Sequence, residues 1–182
     1  MKATQQLKDE HEGIKIMLGI LNQVCKQLEA KGSLNEEHFE NILEFLKVFV
    51  DKCHHGKEES LLFPALIAAG VPEEGPIATM LHEHEMGRHY VKAMSETYAI
   101  YAAGDKPSSK GIIQNAHGYI SLLKDHIEKE NTVLFVIADS HLSENKQNEL
   151  FEEFEKLEED RIGIGKHEEF HALLKKLKDI YK

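Results

Sequence analysis

Two stretches of the chain, HHGKEESLLF (54–63) and HIEKENTVLF (126–135), align without a gap at an offset of 72 residues. The match sets His54 on His126, Lys57 on Lys129, Glu58 on Glu130, Leu62 on Leu134 and Phe63 on Phe135. A shorter echo precedes each copy: DEHE (9–12) and HEHE (82–85), which pair His11 with His84. The chain therefore reads as two similar halves. Each half offers one histidine from its first segment and a His-x-x-x-Glu pair from its second.

The surrounding pattern makes these segments helices. In 4–31, Leu7, Ile14, Leu18, Leu21, Val24 and Leu28 recur at helical spacing, and Gly32 is a stop. Ser33 and Glu36 have capping-box spacing for a second helix carrying Phe39, Ile42, Leu43, Leu46, Phe49 and Val50. Pro64 is expected to kink or end it, because proline removes a helix hydrogen bond. AAGVPEEGP (68–76) is a loop, and Pro76 suits the first position of a third helix reaching Ala103. The fourth covers 109–139 and shows an apolar stripe of Tyr119, Leu122, Leu123, His126, Glu130, Val133, Leu134 and Ile137. Two further helices follow, one opening at Ser143 and one at 166–181.

The expected fold is all-α: an antiparallel up-down-up-down four-helix bundle with two additional C-terminal helices. It forms a single domain over 1–182, with the bundle at about 4–140 and the extension at about 143–181. On a helix, residues four apart share a face. Two facing halves then bring His11, His54, Glu58, His84, His126 and Glu130 to the bundle centre. Four imidazoles and two carboxylates suit two iron or manganese ions, with each glutamate able to bridge. A buried carboxylate on an apolar stripe is costly unless something compensates its charge, and a metal does. His55 and Glu59 form a second pair at the same spacing, turned by about 100°. The alignment selects His54 and Glu58, so His55 and Glu59 are expected to be supporting or solvated.

These motifs, DEHEGIK, HHGKEESLLFP, HEHEMGR and HIEKENTVLF, resemble those of the hemerythrin-like, or HHE cation-binding, family. The resemblance covers about residues 4–140. It implies a non-haem di-iron centre held by the six residues just named. Oxygen-carrying members have His-x-x-x-His on the third helix, where this chain has Met80 and Arg88 on either side of His84. They also have His-x-x-x-x-Asp on the fourth, where this chain has Asn131. The chain is thus more similar to the four-histidine, two-glutamate branch that includes bacterial iron-cluster repair and nitric-oxide-response proteins. The implied function is binding of O₂, NO or peroxide for sensing, scavenging or iron-cluster repair. An electron donor or an iron-sulfur client protein would be a partner. The alternative is an iron-handling or zinc-binding protein without a redox role. No nucleophile–base pair or nucleotide loop is present, so any turnover would be the metal's own chemistry.

Candidates for a fifth nitrogen are His89, His117, His167 and His171. Tyr119 is either a hydrogen-bond donor near the metals or core packing. HEEFH (167–171) matches the zinc-peptidase pattern literally, but only eleven residues follow His171. That is too few for the further ligand, about 20 residues on, that such sites use. His167 and His171 are therefore expected to pack the end of the bundle, beside a docking stripe of Phe170, Leu174, Leu177 and Tyr181.

A net charge of −10 disfavours nucleic acid and anionic membranes as partners. Two cysteines are too few for a disulfide framework, and the N-terminus has no apolar leader, so a cytoplasmic location is expected. Cys53 reads as a buried inert thiol.

Overall fold

The computed structural model describes residues 2–182, and all regular structure in them is helical. Helix α1 is Ala3–Lys31 and ends on Gly32, whose left-handed backbone (φ 69°) returns an N–H to Leu28. Helix α2, Glu36–Phe45, is capped by Asn35, whose side chain accepts from His38 N. Asn35 thus takes the role expected of Ser33.

From α2 the helix continues unbroken through π-helical turns at Leu46–His55 and Glu58–Leu62 into α3, Phe63–Ala68. Pro64 does not end it. Its missing N–H falls just after a widened turn and near the start of α3, where the α-helical ladder is already interrupted. Helix α4 is Pro76–Ala102, and α5 is Ser109–Lys129. A third π-helical turn, Glu130–Leu134, joins α5 to α6, Phe135–His141. Two of the three π segments begin at the repeated glutamates. The turn at 130–134 also shifts the helical phase, so Leu134 and Ala138 are buried while Val133, placed inward by the sequence stripe, faces solvent.

Helix α7, Glu144–Ile162, opens on a Ser143 side-chain cap, and α8 is Lys166–Ile180. Phe154 is buried from α7, with Gln147 and Leu150; Phe151 and Leu157 are only partly covered. Phe170, Leu174, Leu177 and Tyr181 dock the last segment on the bundle as a buried stripe.

The apolar interior falls into two clusters. One runs along the bundle from Ile14 and Phe39 to Tyr119 and Leu177. The other gathers Leu7, Leu62, Phe63, Leu66, Leu134, Phe135 and Phe154. Between them lies a buried polar layer containing His11, His54, His55, Glu58, His84, His126 and Glu130. Among the described residues, no helix is long and apolar enough to cross a membrane.

Candidate metal centre

Within that layer the ligand-type atoms form two groups, each with its atoms within 4.8 Å of one another. One is His11, His54, Glu58 and Glu130; the other is His55, Glu58, His84 and His126. The structure thus brings together all six residues singled out by the repeat. Glu58 lies in both groups, with Oε1 3.7 Å from His54 Nε2 and Oε2 3.3 Å from His84 Nε2. Glu130 belongs to the first group alone, yet its oxygens divide in the same way: Oε2 is 3.0 Å from His11 Nε2, and Oε1 is 3.1 Å from His126 Nε2. Each carboxylate therefore turns one oxygen to each group, the arrangement of a bridging ligand.

The other ring nitrogens are tied down. His54 Nδ1 donates to Glu10 at 2.7 Å, and His126 Nδ1 to Glu83 at 2.9 Å. His84 Nδ1 donates to Glu59 at 2.7 Å, and His11 Nδ1 to the Asn131 amide oxygen at 2.9 Å. A carboxylate only accepts, so these bonds place the proton on Nδ1 and leave the Nε2 lone pairs facing inward. Those lone pairs converge: His11 and His54 Nε2 are 3.0 Å apart, and His84 and His126 Nε2 are 3.2 Å apart.

The repeat extends to this supporting layer. Glu10 and Glu83, the residues before the paired histidines, each orient the second histidine of their own half. Lys57 and Lys129 then bind those glutamates. Glu59 and Asn131 each follow a repeated glutamate, and each orients the first histidine of the other half. The echoed phenylalanines flank the rings: Phe63 stacks on His84 and Phe135 on His11. Glu59 is thus a supporting residue, as expected.

His55 departs from expectation. It is 4 % exposed, stacks on His84 with ring centroids 3.8 Å apart, and belongs to the second group. It supplies the fifth imidazole. None of the four candidates does: His89, His117 and His171 are exposed, and His167 packs against Phe49 at the edge of the bundle. The signal for His55 lay in the repeat itself. Its twin is Ile127, an apolar residue that is buried, so this register position faces the interior in both halves.

The donor set fits a metal. All four oxygens of Glu58 and Glu130, and both ring nitrogens of His55, are buried without a hydrogen-bond partner among the described residues. Uncompensated, such atoms are costly to bury. Without a cation, the cluster's charge is balanced by protons. Burial opposes the charged form of His84, yet the carboxylates of Glu130, Glu58 and Glu59 outweigh it and push its pKa up to about 11. Burial also opposes charge on His126, and Glu130 and Glu83 raise it to about 9. Burial would raise Glu130, but the surrounding imidazoles of His126, His11 and His84 hold it well below the usual carboxylate range. For His55, burial and its histidine neighbours act together and push the pKa well down. A divalent ion replaces these protons and releases them on binding.

Residues 2–138 match the family described as Hemerythrin HHE cation binding domain. The chain belongs to this family. It is also similar to uncharacterized proteins of Mycobacterium bovis and Mycobacterium tuberculosis, each 26 % identical over 181 residues, covering 99 % of this chain and 69 % of the relative. No solved structure gives a significant match. A buried imidazole and carboxylate cluster in an HHE domain marks a metal-binding protein.

Beside the centre, Glu10 and Glu158 share the buried Lys57 ammonium, at 2.5 and 2.7 Å. Burial would raise the Glu158 pKa, but His167 and Lys57 lower it to about 2, from an ordinary 4.5. A carboxylate depressed on folding contributes stability that is complete above the unfolded pKa and is lost as pH falls through the folded one. Glu158→Gln should therefore destabilise the protein at pH 6, and its deficit against wild type should shrink between pH 4.5 and pH 2. Urea midpoints at pH 6 and pH 3 check this; a deficit independent of pH would contradict it. The thiol of Cys53 is pushed up to about 12 by burial, which keeps it protonated and unreactive.

Proposed function

We propose that this chain is a non-haem di-iron protein that binds a small diatomic or peroxide ligand, O₂, NO or H₂O₂, for sensing, scavenging or repair of iron clusters. The observation that carries the reading is the paired orientation of Glu58 and Glu130, each with one oxygen toward either imidazole group. His11 and His54 would hold one ion, and His55, His84 and His126 the other. Imidazole and carboxylate donors suit iron or manganese. Ferrous iron held by these residues would supply the electron density that such ligands accept.

The protein's own residues set the selectivity. With two imidazoles instead of three, the His11–His54 side has fewer donors to offer. A cavity of about 250 Å³, lined by Leu46, Asp51, His55, Gly87, Arg88 and Tyr119 among others, reaches the centre at His55. It falls below the roughly 300–1,000 Å³ of sites for drug-sized ligands, so it favours small molecules. Arg88, in its lining, binds both Asp51 and Glu59, at 2.9 and 2.5 Å. Tyr119 contributes packing and a wall of the cavity; burial raises its hydroxyl pKa, which keeps it a neutral hydrogen-bond donor.

Titrating the anaerobically reduced, iron-loaded protein with NO, O₂ and H₂O₂ tests the proposal. At least one should change the visible spectrum stoichiometrically, and Glu130→Ala should lose iron and the response together. Indifference of the iron-loaded protein to all three would remove the ligand-binding role. A colourless zinc protein isolated from the native host would favour the non-redox alternative.

A further inference from the structure

The HEEFH motif lies outside the buried layer, yet its two histidines face each other. His167 and His171 are one turn apart on α8, with Nε2 atoms 2.6 Å apart. His167 Nδ1 lies 2.8 Å from Glu158 Oε1. This is an ion-pair distance without hydrogen-bond alignment, so Glu158 holds the ring electrostatically and leaves its tautomer open. Two imidazole nitrogens at this separation share a proton as an N–H···N hydrogen bond, or hold a cation in its place. The pair borders a cleft of about 350 Å³ whose rim includes Asp9, Glu155 and Glu168. Phe49 backs both rings, with centroids 5.4 and 6.5 Å away.

We propose that His167 and His171 form a second, peripheral two-histidine metal site for a divalent ion that prefers imidazole, of the zinc, copper or nickel class, with water in its remaining positions. Three features support it. Histidines at i and i+4 on a helix are close enough to chelate one ion. Metal–nitrogen bonds of about 2.0–2.1 Å need only a slight opening of the present gap. Behind His167 stands Glu158, a carboxylate at ion-pair distance of the kind that supports histidines in metal sites. Glu158 is itself held by Lys57, so His167 is positioned before any ion arrives.

This site is distinct from the buried centre but in contact with its supports. From His167 the chain of polar contacts runs through Glu158, Lys57 and Glu10 to His54. It is also unlike a peptidase site, because the rim offers exposed carboxylates rather than a third fixed ligand in a closed cleft.

Copper(II), added at one equivalent to protein already loaded at its buried centre, is a suitable probe. Wild type should take up one copper that shows nitrogen hyperfine coupling from two imidazoles in its electron paramagnetic resonance spectrum. His171→Ala should weaken that uptake by about tenfold or more. His141→Ala, which removes an exposed histidine elsewhere, should leave it unchanged. Both substitutions are at exposed positions, so the fold is expected to survive. Equal uptake and identical spectra in wild type and His171→Ala would overturn the proposal and leave a shared proton as the account of the short contact. Iron content measured on the same samples reports separately on the buried centre.

Discussion

Lys57→Met should destabilise the protein by about 3–5 kcal/mol, the cost of breaking a buried ion pair by removing one partner. The Lys57 side chain is fully buried, and its ammonium lies between Glu10 and Glu158. Burial works against its charge, yet Glu10 and its other neighbours raise its pKa further, so it stays protonated. Methionine keeps the length of the stem but leaves Glu10 buried with only His54 to answer it. The loss should also reach the metal. Glu10 fixes the tautomer of His54, and loss of such a supporting partner typically costs about 10–100-fold in affinity. Lys129→Met is the control set by the repeat. Lys129 occupies the twin position, but its side chain is 42 % exposed, so water replaces the lost charge and the effect should be much smaller. Denaturant midpoints and metal affinities for the two variants, side by side, check both parts.

His55→Ile should separate stability from metal binding. The substitution installs the residue found at the twin position, Ile127. In the metal-free protein it removes a buried imidazole whose two nitrogens have no partner. Replacing such a group by an apolar one is neutral or stabilising, so the unfolding midpoint of the metal-free protein should hold or rise. Metal content should move the other way. The group formed by His55, His84 and His126 keeps two imidazoles, and occupancy on that side should fall from one ion toward none. Stability and metal lost together would instead mean that His55 is a packing residue.

The repeat made much of this architecture legible before any coordinates. Helix positions, their order and the docking stripe of α8 followed from periodicity, because amphipathic helices announce their buried faces. The six central residues followed from the echo, because two copies of one pattern must occupy equivalent places in a two-fold arrangement. Other features were hidden. The π-helical turns at 46–55, 58–62 and 130–134 leave no simple spacing signature, and they change which side chains point inward; Val133 is the visible casualty. His55 is invisible to an alignment of residue types, because its twin is an isoleucine and only burial at the paired position marks it. Lys57 and Glu10 stood in the repeat, but their burial depends on α7 delivering Glu158 from more than 100 residues away. No local pattern carries that.

The proposed centre holds two metals shared by Glu58 and Glu130. Metal analysis of protein reconstituted anaerobically with ferrous iron, combined with Mössbauer spectroscopy, tests it most directly. Two irons per chain are expected in two distinct environments, one with two imidazoles and one with three, magnetically coupled once oxidised. A single iron per chain, or two uncoupled irons, would contradict it.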